Sequence, residues 1–233
     1  MQYRNELKFI INYADYALIR ARLSPVMKRD NHVNGNGMYT IRTLYFDDFL
    51  NSAYNEKYAG VLNRQKFRIR IYNYSDQVIN LERKIKYDRY VYKQLANLTR
   101  NQVFEILAGN YDCLRDCSHP LYTIFYYECR SKLLRPRTIV DYEREPFVME
   151  AGEVRITFDQ HVRVGVDGWD IFNEKMAMRE VMQPDFLVME VKYSGFLPIL
   201  VRQLLPKNST NYSAVSKYVL GCDQTLYKRI YDY

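Results

Sequence analysis

Cations recur at every second position in several short segments of this chain. In Lys66-Phe67-Arg68-Ile69-Arg70-Ile71-Tyr72, the residues Lys66, Arg68, Arg70 and Tyr72 alternate with Phe67, Ile69 and Ile71. Successive side chains of a strand point to opposite faces, so residues two apart share one. By that rule Glu6 shares a face with Lys8, Glu82 with Lys84 and Lys86, and Tyr142 with Arg144. Arg155, Thr157 and Asp159 share another, opposite Val154, Ile156 and Phe158, and Glu190 pairs in this way with Lys192. Arginine offers a planar fork to two phosphate oxygens and lysine a point charge. A carboxylate among them, Glu190 above all, can hold a divalent metal that bridges phosphate oxygens. Rows of this kind suit an elongated polyanion.

The same alternation also describes the solvent face of an ordinary antiparallel sheet. Two features count against that reading. At least five strands carry a cation, and Arg68 and Arg70 set like charges side by side, which costs energy unless an anion lies between them. If the charged faces point inward, the sheet closes into a barrel with a polar interior and packs its apolar faces on outer helices. A cavity lined with cations is expensive without counter-charge.

The elements that must position these residues are mostly strands. The alternation predicts strands at Glu6 to Ile11, Thr40 to Phe46, Lys66 to Tyr74, Val78 to Tyr87, Arg137 to Tyr142, Glu153 to Val164 and Phe186 to Tyr193. Helices are expected at Asp15 to Leu23, Thr99 to Leu107, Leu121 to Leu133, Leu197 to Leu205 and Ser213 to Leu220, with Thr99 as an N-cap answered by Gln102. Asn31 to Met38, Gly165 to Gly168 and Pro206 to Asn211 read as loops. Antiparallel strands with helices between and after them predict an α+β fold around a sheet or barrel.

Bulk composition narrows the partners. The 233 residues read as one domain, 1–233, and 23 tyrosines suit strands and the edges of polar cavities. A net charge of +7 suggests nucleic acid, an acidic membrane or a phosphorylated small molecule. Cys113, Cys117 and His119 lie close in sequence but match no good zinc spacing and lack an evident fourth ligand. Cys113 and Cys117 read as reduced thiols of a cytosolic protein, beside Cys129 and Cys222. No signal peptide and no membrane-spanning run is seen, so the expected location is the cytoplasm.

Eight segments in order resemble the VTC domain, the polyphosphate polymerase domain of the vacuolar transporter chaperone family, within the triphosphate tunnel metalloenzymes (CYTH-like superfamily). They are Arg4-Asn5-Glu6-Leu7-Lys8, Thr43-Leu44-Tyr45-Phe46-Asp47, Arg64-Gln65-Lys66-Phe67-Arg68-Ile69-Arg70, Leu81-Glu82-Arg83-Lys84, Asp141-Tyr142-Glu143-Arg144, Val154-Arg155-Ile156-Thr157-Phe158-Asp159, Met189-Glu190-Val191-Lys192 and Val215-Ser216-Lys217-Tyr218. The resemblance implies an eight-stranded antiparallel β-barrel tunnel with flanking helices. It implies that Lys8, Arg68, Arg70, Lys84, Arg144, Arg155 and Lys217 perform the catalysis. Lys93, in a loop-like stretch after the fourth strand, would add a phosphate contact, as would Tyr142, Lys192 and Ser216, with Ser216 and Lys217 coming from a C-terminal helix. Glu190 would hold Mn²⁺ or Mg²⁺.

The implied activity is transfer of the γ-phosphate of ATP to a growing polyphosphate chain, with ATP and inorganic polyphosphate as partners. Arg4 stands where many tunnel triphosphatases carry the first glutamate of a Glu-x-Glu-x-Lys strand, and Val188 stands two before Glu190. Fewer carboxylates mean fewer metal ligands and a weaker way to activate water, which favours a phosphate acceptor over hydrolysis. His32, His119 and His161 receive no role. The alternatives are a tunnel-fold inorganic triphosphatase, a nucleotidyl cyclase, and a non-catalytic module that binds polyphosphate. Nucleic acid is not expected, although Tyr87-Asp88-Arg89-Tyr90-Val91-Tyr92-Lys93 mixes rings and cations as a stacking surface does. The inositol-polyphosphate-sensing domain and membrane helices of the eukaryotic polymerases are not expected here, and nothing in the sequence reports a separate membrane partner.

Overall fold

Period-2 alternation becomes strand wherever one face can be buried. The computed structural model of the chain describes residues 5–30, 33, 37–88, 90–115, 117–206 and 215–231, the backbone alone for 225–231. The strands are β1 (Asn5–Asn12), β2 (Lys28–Arg29), β3 (Tyr39–Asp47), β4 (Arg64–Tyr72), β5 (Ser75–Tyr87), β6 (Tyr90–Asn97), β7 (Arg135–Met149), β8 (Val154–Gly165), β9 (Met178–Glu180) and β10 (Phe186–Tyr193). The helices are α1 (Tyr13–Leu23), α2 (Ser52–Tyr58), α3 (Arg100–Leu107), α4 (Pro120–Ser131), α5 (Ile199–Leu204) and α6 (Lys217–Tyr231). Eight strands have eight or more residues; β2 and β9 are short additions.

By contact the chain forms two units, neither continuous in sequence. The first comprises Met1–Thr40, Tyr142–Val162 and Glu180–Ser216; the second Ile41–Asp141, Arg163–Arg179 and Lys217–Tyr233. In the first unit β1 pairs antiparallel with β10, and β10 with β8. Its core is one cluster from the apolar faces of these strands and from α1: Phe9, Ile11, Ile19, Leu23, Ile156, Phe158, Met189 and Val191 among them. Glu145 of β7 docks α1, accepting hydrogen bonds from Tyr16 Oη and Arg20 Nε, each at 2.8 Å.

In the second unit β3 pairs with β4, β4 with β5 and β5 with β6, all antiparallel. A separate core gathers Leu44, Phe46, Phe67, Ile69, Ile71 and Leu81 against Val103 and Ile106 of α3 and Leu121 and Phe125 of α4. The capping box at α3 forms as expected. Thr99 accepts from the Gln102 amide, and the Gln102 side chain accepts from the Thr99 amide.

The structure departs from the sequence reading in several places. Lys93 lies on β6 and not in a loop, because Tyr90–Asn97 pairs along β5 after a turn at Asp88 with φ 53°. That strand is largely exposed, so it shows little alternation of apolar and polar residues. β7 runs to Met149 and so carries Arg144 within a strand. The α4 helix stops at Ser131, two residues before Leu133 with φ 55°. Helix α2 was not expected; Asp47 and Asp48, upstream of it, supply its amide acceptors. The last helix starts at Lys217, so Ser216 precedes it rather than belonging to it. Ser213 and Ala214, most of the Asn31–Met38 loop, residues 207–211 of the expected Pro206–Asn211 loop, and Arg4, His32 and Arg89 lie outside the described residues.

Candidate functional site: two carboxylates, each held by cations

The first unit collects the larger part of the expected site. Register places Lys8 of β1 opposite Glu190 of β10, Glu6 opposite Lys192, and Lys192 opposite Arg155 of β8. Glu190 is 5% exposed, and its carboxylate meets three cations. Lys8 Nζ lies 3.2 Å from Oε1, Lys192 Nζ 3.1 Å from Oε2, and Arg144 Nη2 3.7 Å from Oε2. Lys192 also reaches Glu6 at 3.4 Å. Arg144 in turn donates both arms of its fork to Asp159, Nε to Oδ1 at 2.6 Å and Nη2 to Oδ2 at 2.7 Å. Burial works against its charge, but Asp159, Tyr142 and Glu190 outweigh that and hold the guanidinium above its ordinary range. Its Cζ stands 5.3 Å from the centroid of the buried Tyr142 ring. Arg155 pairs with Asp30 at 2.7 Å and donates to Tyr39 Oη at 3.0 Å.

The second unit builds a similar arrangement around Glu82. Arg68 sits opposite Glu82, and Lys66 opposite Lys84, which itself faces Lys93. Glu82 is fully buried, and its Oε2 accepts from Arg68 Nε at 2.6 Å while Lys93 Nζ lies 3.2 Å from Oε1 and Arg70 Nη1 4.0 Å from Oε2. Burial alone would raise this carboxyl; Arg70, Arg68 and Lys93 outweigh it and hold Glu82 well below the usual carboxylate range. Arg70 also donates to Thr43 Oγ1 at 3.2 Å, and Arg68 to Tyr45 Oη at 3.4 Å. Lys217 is buried at the start of α6. Next to it, Tyr218 hydrogen-bonds Asp47 and packs its ring on Tyr45 with centroids 5.1 Å apart.

The structure therefore brings Lys8, Arg144, Glu190 and Lys192 into one cluster and Arg68, Arg70 and Lys93 into another. Lys84 stands in register with Lys93, and Arg155 with Lys192. Sequence reasoning assigned no role to Glu82, Asp159, Asp30, Tyr39 or Lys66. Glu82, Asp159 and Lys66 carry a signal, since each falls on a charged face of its strand. Asp30 and Tyr39 carry none, because their contact with Arg155 crosses more than a hundred residues of sequence.

Among the described residues, no group of three or more His, Cys, Asp and Glu is placed to hold a metal. Both oxygens of Glu190 face ammonium groups, so its surroundings do not form a cage for a resident ion. One carboxylate is sufficient for a divalent ion that arrives already bound to nucleotide phosphates, as Mg²⁺ commonly does.

The VTC domain profile matches residues 3–226. The chain belongs to the VTC domain family. That match spans both units of this VTC domain. No curated protein matches the sequence. Among solved structures, HpAC1 from Hippeastrum, described as an adenylyl cyclase with a dominant triphosphatase activity, aligns with TM-score 0.56 and 14% identity over 96% of each chain. The PH1819 protein of Pyrococcus horikoshii aligns with TM-score 0.50 and 13% identity over 95% of this chain and 99% of its own. The VTC domain thus has the antiparallel α+β fold of these neighbours, as expected. No helix among the described residues is long and apolar enough to cross a membrane.

Proposed function

We propose that this VTC domain is a polyphosphate polymerase that transfers the γ-phosphate of ATP to the terminal phosphate of a growing chain. The observation that carries this reading is the state of the carboxylates on the charged faces. Glu190, Asp159, Asp30 and Glu82 all lie against cations. A carboxylate held in this way is a poor base for water. A chain-end phosphate needs no base, because it is already ionised at neutral pH. What remains for the protein is positioning and charge compensation, which suffice for phosphoryl transfer.

In this reading the cations of both units hold phosphates. Arg68, Arg70, Lys84, Lys93 and Lys217 bind phosphate in the second unit; Lys8, Arg144, Arg155 and Lys192 do so in the first, with Tyr142 and Ser216 as further contacts. Glu190 is the residue that would hold Mn²⁺ or Mg²⁺ bound to the nucleotide phosphates; metal dependence is general among tunnel-fold enzymes. The ion would offset charge on the phosphate oxygens. Glu82 stays paired and orients Arg68 and Arg70.

The Hippeastrum neighbour's triphosphatase activity favours a second reading, hydrolysis of triphosphate by the same cationic faces. Incubation with ATP and Mn²⁺, followed by gel electrophoresis, separates the two. The polymerase reading expects long phosphate chains, lost in Arg70→Ala and Lys217→Ala while both variants keep their circular dichroism. Orthophosphate without chains would establish the triphosphatase instead.

A further inference from the structure

One lysine on the second unit's charged face is not balanced like its neighbours. Lys66, Lys84 and Lys93 stand directly across from one another on β4, β5 and β6. Lys93 leans on Glu82, at 3.2 Å. Lys66 is half-buried and has no carboxylate within ion-pair distance among the described residues. Its ammonium lies instead 4.3 Å from the centroid of the Tyr218 ring. The groups around it are Arg64 on its own strand, Lys84 from β5, Lys57 from α2, and Tyr218 and Cys222 from α6. Asp47, which ends β3, is already occupied by the amides of Ala53 and Tyr54 and by the Tyr218 hydroxyl.

Burial lowers the Lys66 ammonium, Cys222 offsets this in part, and Lys57, Arg64 and Lys84 lower it further, to about 7. Three lysines in one row repel one another, and an aromatic face compensates only a fraction of an ammonium charge. A phosphate laid across the row supplies the missing counter-charge.

We propose that Lys66 is a further phosphate-binding residue, and that a phosphate chain settling on the Lys66–Lys84–Lys93 row makes it take up one proton. The step is R–NH₂ + H⁺ → R–NH₃⁺, with the proton drawn from solvent and no other bond made or broken. It rests on the reading that this face binds polyphosphate. The sign follows from the chemistry. Above pH 7 the empty site holds the neutral amine and binding draws in a proton; well below pH 7 the amine is already charged and the uptake vanishes.

Calorimetric titration with sodium tripolyphosphate, at pH 8 in two buffers of different ionisation enthalpy, counts the protons. The parent is expected to take up about one proton more than Lys66→Arg, whose guanidinium stays charged throughout. The difference should disappear at pH 6. Lys66→Met should bind tripolyphosphate roughly tenfold more weakly at pH 6, in line with the loss of one charged hydrogen bond. Equal proton counts for parent and Lys66→Arg, unchanged affinity in Lys66→Met, or no tripolyphosphate binding by the parent would each overturn the proposal.

A measurement on the parent alone guards against a variant that does not fold. The rate of Lys66 acetylation, followed by mass spectrometry, should rise with a midpoint near pH 7 and move upward when tripolyphosphate is present. A midpoint near that of an ordinary lysine, about 10, overturns it. The product assay keeps the two proposals apart. Proton-linked binding without polymer removes the polymerase and leaves Lys66 in place; polymer formation with equal proton counts removes only the role of Lys66.

Discussion

Glu82 and Glu190 sit on the two charged faces, one in each unit. Each is buried and each lies against three cations, so each acts as an internal counter-ion for its face. Removing one partner of such a buried set strands the others, at a cost of roughly 3 kcal/mol. Glu82→Gln should therefore lower the stability of the protein by about that amount in urea titrations at pH 7. The pH dependence follows from the same pairing. Because Glu82 is held below the ordinary carboxylate range, its contribution is present above the unfolded value of about 4.3 and is lost as the pH falls through and below it. The parent should lose more stability than Glu82→Gln between pH 6 and pH 3. Parallel curves for the two proteins would contradict this assignment. Much of this scale was legible in advance. Lys8, Arg68, Arg70, Arg155 and Lys192 fall where strand alternation places them, and Arg144 joins them because β7 runs beyond the expected Tyr142. The hub role of Glu82 was not legible, because period-2 alternation assigns a face but not a register. Only the pairing of β4 with β5, and of β5 with β6, sets Glu82 beside Arg68 and within reach of Lys93.

Asp47 shows how one residue can fix three elements. It ends β3, accepts the amides of Ala53 and Tyr54 at the start of α2, and takes the hydroxyl of Tyr218 from α6. The residue that precedes α2, Asn51, makes no side-chain cap and sits at φ 53°. Asp47 does that work from four residues further back. This explains why α2 escaped sequence reading, which looks for a cap immediately before the helix. The β6 strand escaped for a different reason, since an exposed strand has no buried face to impose a pattern. By contrast, α3 was legible to within a residue because its cap and its partner Gln102 are local. Asp47→Ala should cost about 2 kcal/mol by loss of the helix cap and of the hydroxyl contact. The same substitution should weaken tripolyphosphate binding, since Tyr218, next to Lys217, loses its anchor. An unchanged urea midpoint would show that water replaces Asp47 without loss.

At the scale of the molecule, the chain folds into two units, each with its own apolar cluster and its own charged face. The apolar clusters are the alternate residues of the same strands that carry the cations, so charged faces and cores were read from one pattern. The division into units was not, because each unit is assembled from segments far apart in sequence. Under the proposed function these faces serve chain extension and not hydrolysis. Phosphorus NMR of the purified protein with ATP and Mn²⁺ tests it most directly, because phosphates internal to a chain resonate apart from orthophosphate. A polymerase should make the internal-phosphate signal grow in step with ADP; orthophosphate growing in step with ADP, with no internal-phosphate signal, would rule it out.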